Sequence, residues 1–252
     1  MVQLGSRFPQ FYLTSPSPCP YLPARLERKV FTQLAGKSAR NLNDALTHAG
    51  FRRSQNIAYK PACDGCTACV SVRIVADELK LRTWQRRVLN ANSDIRGEMV
   101  ANVATHEQFA LLRKYLAARH AGGGMAGMDE DDYVAMVEDS AVPTHIVEYR
   151  VPRQPGQRSK LIGGALIDVL ADGLSMVYSF FDPALSERSL GSFMILDQIE
   201  RTKTRKLEYV YLGYWVKGSP KMGYKTRFSP LEALTSNGWA PLGATLEDDL
   251  QD

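Results

Sequence analysis

The sequence predicts a mixed α/β (α+β) protein built from two unequal parts, and three observations carry this prediction. Segments with helical periodicity alternate along the chain with short apolar segments typical of strands. Between residues 98 and 216 these segments follow the order strand, helix, helix, three strands, helix, strand. Charge and cysteine content change near residue 97, so we expect a smaller cysteine-containing α+β domain at 1–97 and a larger domain at 98–252.

In the N-terminal part, the sequence pattern predicts one long helix between an irregular segment and two strands. Residues 1–24 are rich in Pro, Ser and aromatic residues, which indicates irregular structure. Leu34, Leu42 and Leu46 follow a helical spacing within residues 25–50, and Gly50 would end that helix. The other expected elements are strands at 51–60 and 70–75 and a helix within 79–91.

The C-terminal part predicts the strand and helix order given above. The expected elements are a strand at 99–104, helices at 106–119 and 129–137, strands at 145–149, 161–170 and 175–181, a helix at 190–205 and a strand at 207–214. We expect residues 152–158 to form an exposed hairpin loop and residues 246–252 to form a frayed tail.

The net charge of +4 is distributed unevenly over the 252 residues. Residues 1–97 contain 15 Lys and Arg against 6 acids, and residues 98–200 contain 8 against 15. Residues 201–228 contain 8 Lys and Arg against 1 acid. Two basic segments that meet in space would suit a polyanion such as RNA, whereas two separate solvated faces are the alternative.

Composition predicts a cytoplasmic protein without a membrane partner. Hydrophobic residues make up 44% and charged residues 23% of the chain, as in ordinary globular proteins. No segment approaches the roughly 20 apolar residues of a membrane span. The first residues lack the apolar core of a signal peptide, so we expect reduced thiols rather than disulfides.

Four cysteines lie within the first 69 residues. Cys63, Cys66 and Cys69 follow a C-x2-C-x2-C spacing that lets three sulfurs converge, and Gly65 permits the turn. Cys19 would complete a set of four ligands for zinc or an iron–sulfur cluster. The alternative is that these are small buried thiols beside a turn.

Aromatic residues alternate with cations and glycines across residues 209–228. Tyr209, Tyr211 and Trp215 would offer stacking faces, and the cations are Lys217, Lys221, Lys225 and Arg227. This mixture suits the single-stranded end of an RNA or a substrate carboxylate, and a half-buried strand followed by a solvated loop is the alternative. The four scattered histidines and the absence of H-E-x-x-H, P-loop and G-x-S-x-G motifs do not support covalent catalysis.

The element order at 98–216 resembles the N-acetyltransferase-like (GNAT) fold. Its strand–turn–helix junction would be residues 178–183 (Tyr-Ser-Phe-Phe-Asp-Pro) followed by residues 189–193. In such folds, free N–H groups at the helix start can hold a phosphate or an acyl donor. A glycine at 191 that serves only close packing is the alternative.

Several segments together resemble the aminoacyl-tRNA–protein transferases, in particular the bacterial aspartate/glutamate leucyltransferases. The matching segments are residues 19–22 (Cys-Pro-Tyr-Leu), 59–73, 178–183, 189–191 (Ser-Leu-Gly), 211–215 (Tyr-Leu-Gly-Tyr-Trp) and 222–225 (Met-Gly-Tyr-Lys). The resemblance implies transfer of leucine from leucyl-tRNA to the N-terminal amine of proteins that begin with Asp or Glu, which creates an N-degron. It also implies a GNAT-like catalytic domain at 98–252.

The implied reaction defines candidate residues. An acidic acceptor needs a cation, for which Arg73, Lys217, Lys221 and Arg227 are the candidates, and Tyr211, Trp215, Tyr224 and Lys225 complete the expected substrate-binding set. Tyr178, Asp182 and Tyr214 are the candidates near the reacting centre. An amine attacks an already activated ester, so the chemistry itself requires no cofactor.

Three other activities remain open on the sequence. Arginine-transferring relatives carry a Cys-x-x-Cys linked to iron–sulfur binding, whereas Leu22 occupies the second position here. Either Cys63, Cys66 and Cys69 compensate, or the site has lost its cluster. Leucine as donor rests on the resemblance to the bacterial subfamily, so arginine is an alternative donor. A CoA-dependent N-acetyltransferase would need a phosphate-cradling loop that residues 187–192 match only in part, and a non-catalytic metal- and RNA-binding module is the third alternative.

Overall fold

The computed structural model describes residues 9–152 and 159–243 as strands surrounded by helices. The strands are β1 (Tyr12–Leu13), β2 (Ser17–Pro18), β3 (Leu26–Glu27), β4 (Lys29–Gln33), β5 (Arg52–Ser54), β6 (Ile57–Pro61), β7 (Cys69–Val75), β8 (Arg96–Ala101), β9 (Thr144–Val151), β10 (Lys160–Val169), β11 (Gly173–Phe181), β12 (Tyr209–Val216), β13 (Leu231–Thr235) and β14 (Gly238–Pro241). The α-helices are α1 (Ala39–His48), α2 (Thr83–Ala91), α3 (His106–Arg119), α4 (Glu130–Glu138) and α5 (Leu190–Thr204). Two 3-10 segments cover Pro183–Arg188 and Pro220–Arg227.

An eight-stranded sheet forms the centre of the molecule, in the order β14-β13-β7-β12-β11-β10-β9-β8. Its neighbouring strands are antiparallel except β11 and β12, which are parallel because α5 connects them as a crossover helix. One core cluster joins the sheet to α5, with Met194, Ile195 and Ile199 from that helix. A second cluster contains residues of α3 and α4, among them Leu112 and Tyr133.

A four-stranded sheet, in the order β1-β4-β6-β5, forms a separate layer in the N-terminal part. Helix α1 packs on it through Leu46 beside Leu34 and Ala58. The chain then enters the central sheet as β7, which pairs with both β12 and β13. The division expected at residue 97 falls within β8 and stays a prediction.

Most predicted elements of the C-terminal part are confirmed. Helix α3 has the predicted bounds, the three central strands are β9, β10 and β11, and α5 ends one residue earlier than predicted. The loop predicted at 152–158, apart from residue 152, and the tail predicted at 246–252 lie outside the described residues. The described helices include none long and apolar enough to cross a membrane.

The long helix predicted for residues 25–50 is wrong over its first half. Residues 29–33 (Lys-Val-Phe-Thr-Gln) form β4, because β-branched and aromatic side chains favour a strand that can pair with β6. Gly36 turns the chain at φ +70, and the helix begins only at Ala39. Strands β13 and β14 were not predicted, and β13 extends the central sheet beyond β7.

Candidate active site

Strands β11 and β12 diverge, and the opening between them is the candidate active site. Their parallel register covers three pairs, which end with Ser175 opposite Tyr211. Beyond this point β11 continues beside β10 and β12 continues beside β7. Divergence of two parallel strands leaves backbone groups that the ladder no longer satisfies, so other groups must bind them.

Two basic side chains bind the backbone carbonyls at this opening. Nη2 of Arg52 donates to the carbonyls of Met176 at 2.8 Å and Val177 at 2.9 Å on β11. Nζ of Lys225 donates to the carbonyls of Leu212 at 2.8 Å and Tyr214 at 2.5 Å on β12. Burial, together with the nearby Arg52, lowers the pKa of Lys225 well below its ordinary value.

Gly213 makes room for the Arg52 side chain. It has φ +72 at a register shift between β12 and β7. A Cβ at this position would overlap the guanidinium of Arg52. A residue with a side chain would therefore be strained and would also displace Arg52.

Tyrosines converge near the opening. Burial raises the pKa of Tyr178, and the proximity of Tyr115 raises it further. The pKa of Tyr224 is also raised, because the effects of burial and of Tyr115 exceed the opposing effect of Arg52. The ring of Tyr115 lies 5.0 Å from that of Phe181. In the part of the chain that the structure describes, the Tyr178 hydroxyl has no hydrogen-bond partner, so it remains available as a protonated donor.

Two cations and a histidine border these aromatic rings, and they come from the end of α3 and from the 3-10 segment after β12. The guanidinium of Arg119 lies 5.8 Å from the Phe181 ring centre, and the His120 ring lies 5.5 Å from that of Tyr115. Burial lowers the pKa of His120, and the nearby Lys221 and Arg119 lower it further. Within residues 9–152 and 159–243, no carboxylate forms an ion pair with Arg119 or Lys221. Arg119 and Lys221 are called the cationic rim below, and the His120 ring lies near both.

Asp182, a predicted catalytic residue, follows β11 and is 8% exposed. Its carboxylate accepts from Lys160 Nζ at 2.8 Å and from the Ala184 N–H at 3.1 Å, which caps the 3-10 segment before α5. Burial by itself would raise the pKa of this carboxyl, but these two hydrogen bonds outweigh burial and hold the pKa below its usual value.

Arg73 and Tyr211 are held by fixed partners. Arg73 Nε donates to Glu232 at 2.7 Å, and the guanidinium lies 3.5 Å from the Tyr209 ring centre and 4.4 Å from that of Trp239. The Tyr211 hydroxyl accepts from Arg73 and donates to Asp172 at 2.8 Å. Both predicted substrate-binding residues are thus buried inside a network that joins three strands and the loop after β10.

The other predicted residues lie in several places. The Tyr214 hydroxyl lies 2.9 Å from the Gly50 carbonyl and 3.1 Å from the Tyr59 carbonyl. Trp215 packs against the core, Lys217 is exposed beside the cysteine turn, and Arg227 stacks 4.2 Å from the Trp84 ring centre. The segment at 209–228 therefore does not form one continuous surface.

The four cysteines are half-buried free thiols that lie near one another. Burial and the other three thiols raise the pKa of Cys69 to about 11. Cys63 Sγ accepts from the Arg28 N–H at 3.5 Å. Among the described residues, no three His, Cys, Asp or Glu side chains are already arranged around one metal position.

Sequence reasoning missed Arg52, Tyr115, Arg119 and His120. Arg52 lies on a three-residue strand, and nothing in its spacing indicates contact with β11, more than 120 positions away along the chain. Tyr115 and Arg119 follow the four-residue spacing of one helix face, which gave a weak signal for a shared surface.

The chain is similar to known proteins along nearly its whole length. The family model described as arginine-tRNA-protein transferase, C terminus, matches residues 107–235, and the corresponding N-terminus model matches 17–87. A protein of Nitrobacter winogradskyi named aspartate/glutamate leucyltransferase is 58% identical over 97% of this chain and 96% of its own length. A protein of the same name from Rhodopseudomonas palustris is 56% identical over 99% of this chain and 97% of its own length. The crystal structure of FemX shares the fold at a TM-score of 0.50 and 8% identity, covering 80% of this chain and 67% of that one. The chain belongs to the arginine-tRNA–protein transferase family.

Proposed function

We propose that this protein transfers leucine from leucyl-tRNA to the N-terminal amine of proteins that begin with Asp or Glu, and so creates an N-degron for proteolysis. The observation that carries the proposal is the identity of 56–58% with proteins named for this activity, along nearly the whole chain. The use of aminoacyl-tRNA as donor places the reaction in the cytoplasm.

The proposed catalytic unit is a GNAT-like domain. Strand β8, helices α3 and α4, strands β9 to β11, helix α5 and strand β12 follow the expected order, and the diverging parallel pair lies at its centre. This opening supports the proposed position of the reacting groups, because tyrosines, the half-buried Arg52 and the buried Lys225 border it.

The reaction needs positioning more than chemical activation. The acceptor α-amine attacks the ester carbonyl of leucyl-tRNA, a C–N bond forms, and the C–O bond to the terminal ribose breaks. The amine loses a proton, and the ribose oxygen gains one. We infer that the Tyr178 hydroxyl donates to the developing oxyanion, because it is protonated and lies near the opening.

The acidic side chain of the acceptor is the second recognition element. Arg73 and Lys225 donate to groups of the protein itself, whereas the cationic rim carries no acidic partner among the described side chains. We infer that Lys221, exposed beside His120, pairs with the acceptor carboxylate.

The cysteines form a candidate ligand set. Thiolates suit zinc and iron–sulfur clusters, and the C-x2-C-x2-C spacing together with Cys19 supplies four donors of the right type. Cys19, Cys63, Cys66 and Cys69 would hold the group, which would join the residue 63–69 turn to the N-terminal segment. When bound, the group would supply structural cross-linking to this segment.

Transfer assays test the proposed activity. Labelled leucyl-tRNA, arginyl-tRNA and acetyl-CoA are supplied separately with peptides that begin with Asp, Glu or Ala. We expect label from leucyl-tRNA on the Asp and Glu peptides only. Transfer of label from arginyl-tRNA or acetyl-CoA instead would show that the protein uses that donor and not leucyl-tRNA. No transfer from any donor would favour a non-catalytic RNA-binding role.

A further inference from the structure

We propose that Arg52 is a positioning residue for the transfer reaction, whose guanidinium sets the separation of β11 and β12 at the opening where donor and acceptor meet. This inference rests on the proposed function for its kinetic readout. Its structural readout, the order of the two strands, is independent of the donor.

Arg52 reaches the opening from a different sheet. Its backbone lies on β5, which pairs only with β6 in the four-stranded sheet. Its Nη2 donates to two consecutive carbonyls of β11, and its guanidinium occupies the space left by the missing side chain of Gly213 on β12. One side chain from the N-terminal part therefore contacts both diverging strands.

The hydrogen bonds of Arg52 exclude a role as a two-point clamp for a substrate carboxylate. A guanidinium binds a carboxylate in two-point fashion through Nε with Nη2, or through Nη1 with Nη2. Both hydrogens of Nη2 point to the carbonyls of Met176 and Val177. Arg52 therefore acts through the strands rather than on the acidic side chain of the acceptor.

The placement of Lys225 beside Arg52 supports a functional reason for this arrangement. Two basic groups bind opposite sides of one opening, and neither has a carboxylate partner among the described residues. Lys225 is buried and Arg52 is half-buried, which is unfavourable for ionisable groups. Apolar side chains would fill a purely structural gap at lower free energy, and ionisable groups in unfavourable surroundings concentrate at functional sites.

Arg53 provides a matched control. It is adjacent to Arg52 on β5 and points the other way, to Asp168 on β10. The substitutions Arg52→Lys and Arg53→Lys make the same chemical change at neighbouring positions, and both remove donors that join β5 to the central sheet. Only Arg52→Lys removes donors that bind the strands at the opening. Arg52→Met, which retains length and removes all donors, is the stronger variant.

The experiment compares wild type, R52K, R52M and R53K for melting temperature, kcat and KM with an Asp-initiated peptide. A displacement of the reacting groups by about 1 Å reduces the rate by about 100-fold, so we expect a kcat loss of that size in R52M and a smaller loss in R52K. The KM for the peptide should change by less than about threefold, because the acceptor-binding cations remain. R53K should have a lower melting temperature and the kcat of wild type.

Hydrogen exchange supplies the readout that does not depend on catalysis. Amides at 176–181 and 212–216 should exchange faster in R52M than in wild type, and R53K should leave these segments unchanged. A kcat for R52M within about threefold of wild type would overturn the proposal, as would equal kcat losses in R52K and R53K. If wild type uses another donor, the same comparison is made with that donor, so failure of the leucine assignment is separate from failure of this inference.

Discussion

Arg53 and Asp168 form a buried two-point ion pair between β5 and β10. Nε lies 2.6 Å from Oδ2, Nη2 lies 2.6 Å from Oδ1, and the two side chains are 2% and 1% exposed. Thr144 also donates to Asp168 at 2.8 Å, and Arg53 Nη1 donates to the Gln55 carbonyl. Because both charged groups are hydrogen-bonded to each other and to neighbouring groups, this buried pair holds the four-stranded sheet against the central sheet.

Asp168→Asn should destabilise the protein strongly. The amide leaves the Arg53 charge buried without its counterion, which costs about 3–5 kcal/mol in the free energy of unfolding. Urea unfolding followed by tryptophan fluorescence measures this change. Glu130→Gln, which breaks the exposed pair with His106, is the control and should change stability by less than about 1 kcal/mol. Equal effects of the two substitutions would contradict the structural role assigned to the buried pair.

Tyr178→Phe and Tyr214→Phe should separate catalysis from stability. Both remove one hydroxyl from a largely buried tyrosine. Loss of the Tyr214 hydroxyl leaves the Gly50 and Tyr59 carbonyls without this donor, so the free energy of unfolding should fall by about 1–3 kcal/mol while kcat is retained. Loss of the Tyr178 hydroxyl should reduce kcat by about 100-fold with little change in stability, as for removal of one oxyanion donor. The reverse pattern would place Tyr214, not Tyr178, at the reacting centre.

Asp182 should make stability depend on pH in the acidic range. Its pKa is lower in the folded protein than in the unfolded chain, so its ionised form favours folding. This contribution is complete above the ordinary Asp pKa of about 4 and is lost as the pH falls through the lower folded value. Between about pH 5 and pH 3, the free energy of unfolding should therefore fall more steeply for wild type than for Asp182→Asn. Parallel curves for the two proteins would show that this carboxylate does not contribute.

Lys221→Ala should weaken recognition of the acidic acceptor, whereas Arg73→Lys should not. Loss of one charge-assisted hydrogen bond corresponds to about a tenfold higher KM for an Asp-initiated peptide. Arg73→Lys loses the stacking on Tyr209 and Trp239, so its melting temperature should fall while its preference for Asp over Ala peptides is retained. Binding of uncharged tRNA is the control, since an equal loss there would assign Lys221 to the RNA.

Cys69→Ser should remove bound metal if the four thiols form one ligand set. Protein purified without oxygen is analysed for zinc and iron and for absorbance of sulfur-to-iron transitions. We expect metal in wild type and a marked loss in Cys69→Ser, because the substitution removes one of the four thiolate ligands. Metal-free wild type, or equal metal in both proteins, would instead support the interpretation of these cysteines as packed thiols.

The sequence alone determined the elements in which local pattern and tertiary environment agree. Helix α3 shows this best, because Thr105 and Gln108 form a capping box at its start and its apolar residues recur at helical spacing. The central strands were predicted for a similar reason, since uninterrupted apolar residues in β10 are compatible only with burial on both faces. The family was also evident in the sequence, because its matching segments extend along the chain.

Tertiary structure decided the features that depend on partners distant in sequence. Residues 29–33 became a strand because β6 offered an edge to pair with, which no local periodicity reveals. The candidate site was decided in the same way, since the side chains of Arg52 and Lys225 reach the diverging strands β11 and β12 only through tertiary contacts. The sequence could specify which residues bear charge or an aromatic ring, but whether each is used for a substrate or for an internal contact depends on the groups that folding places beside it.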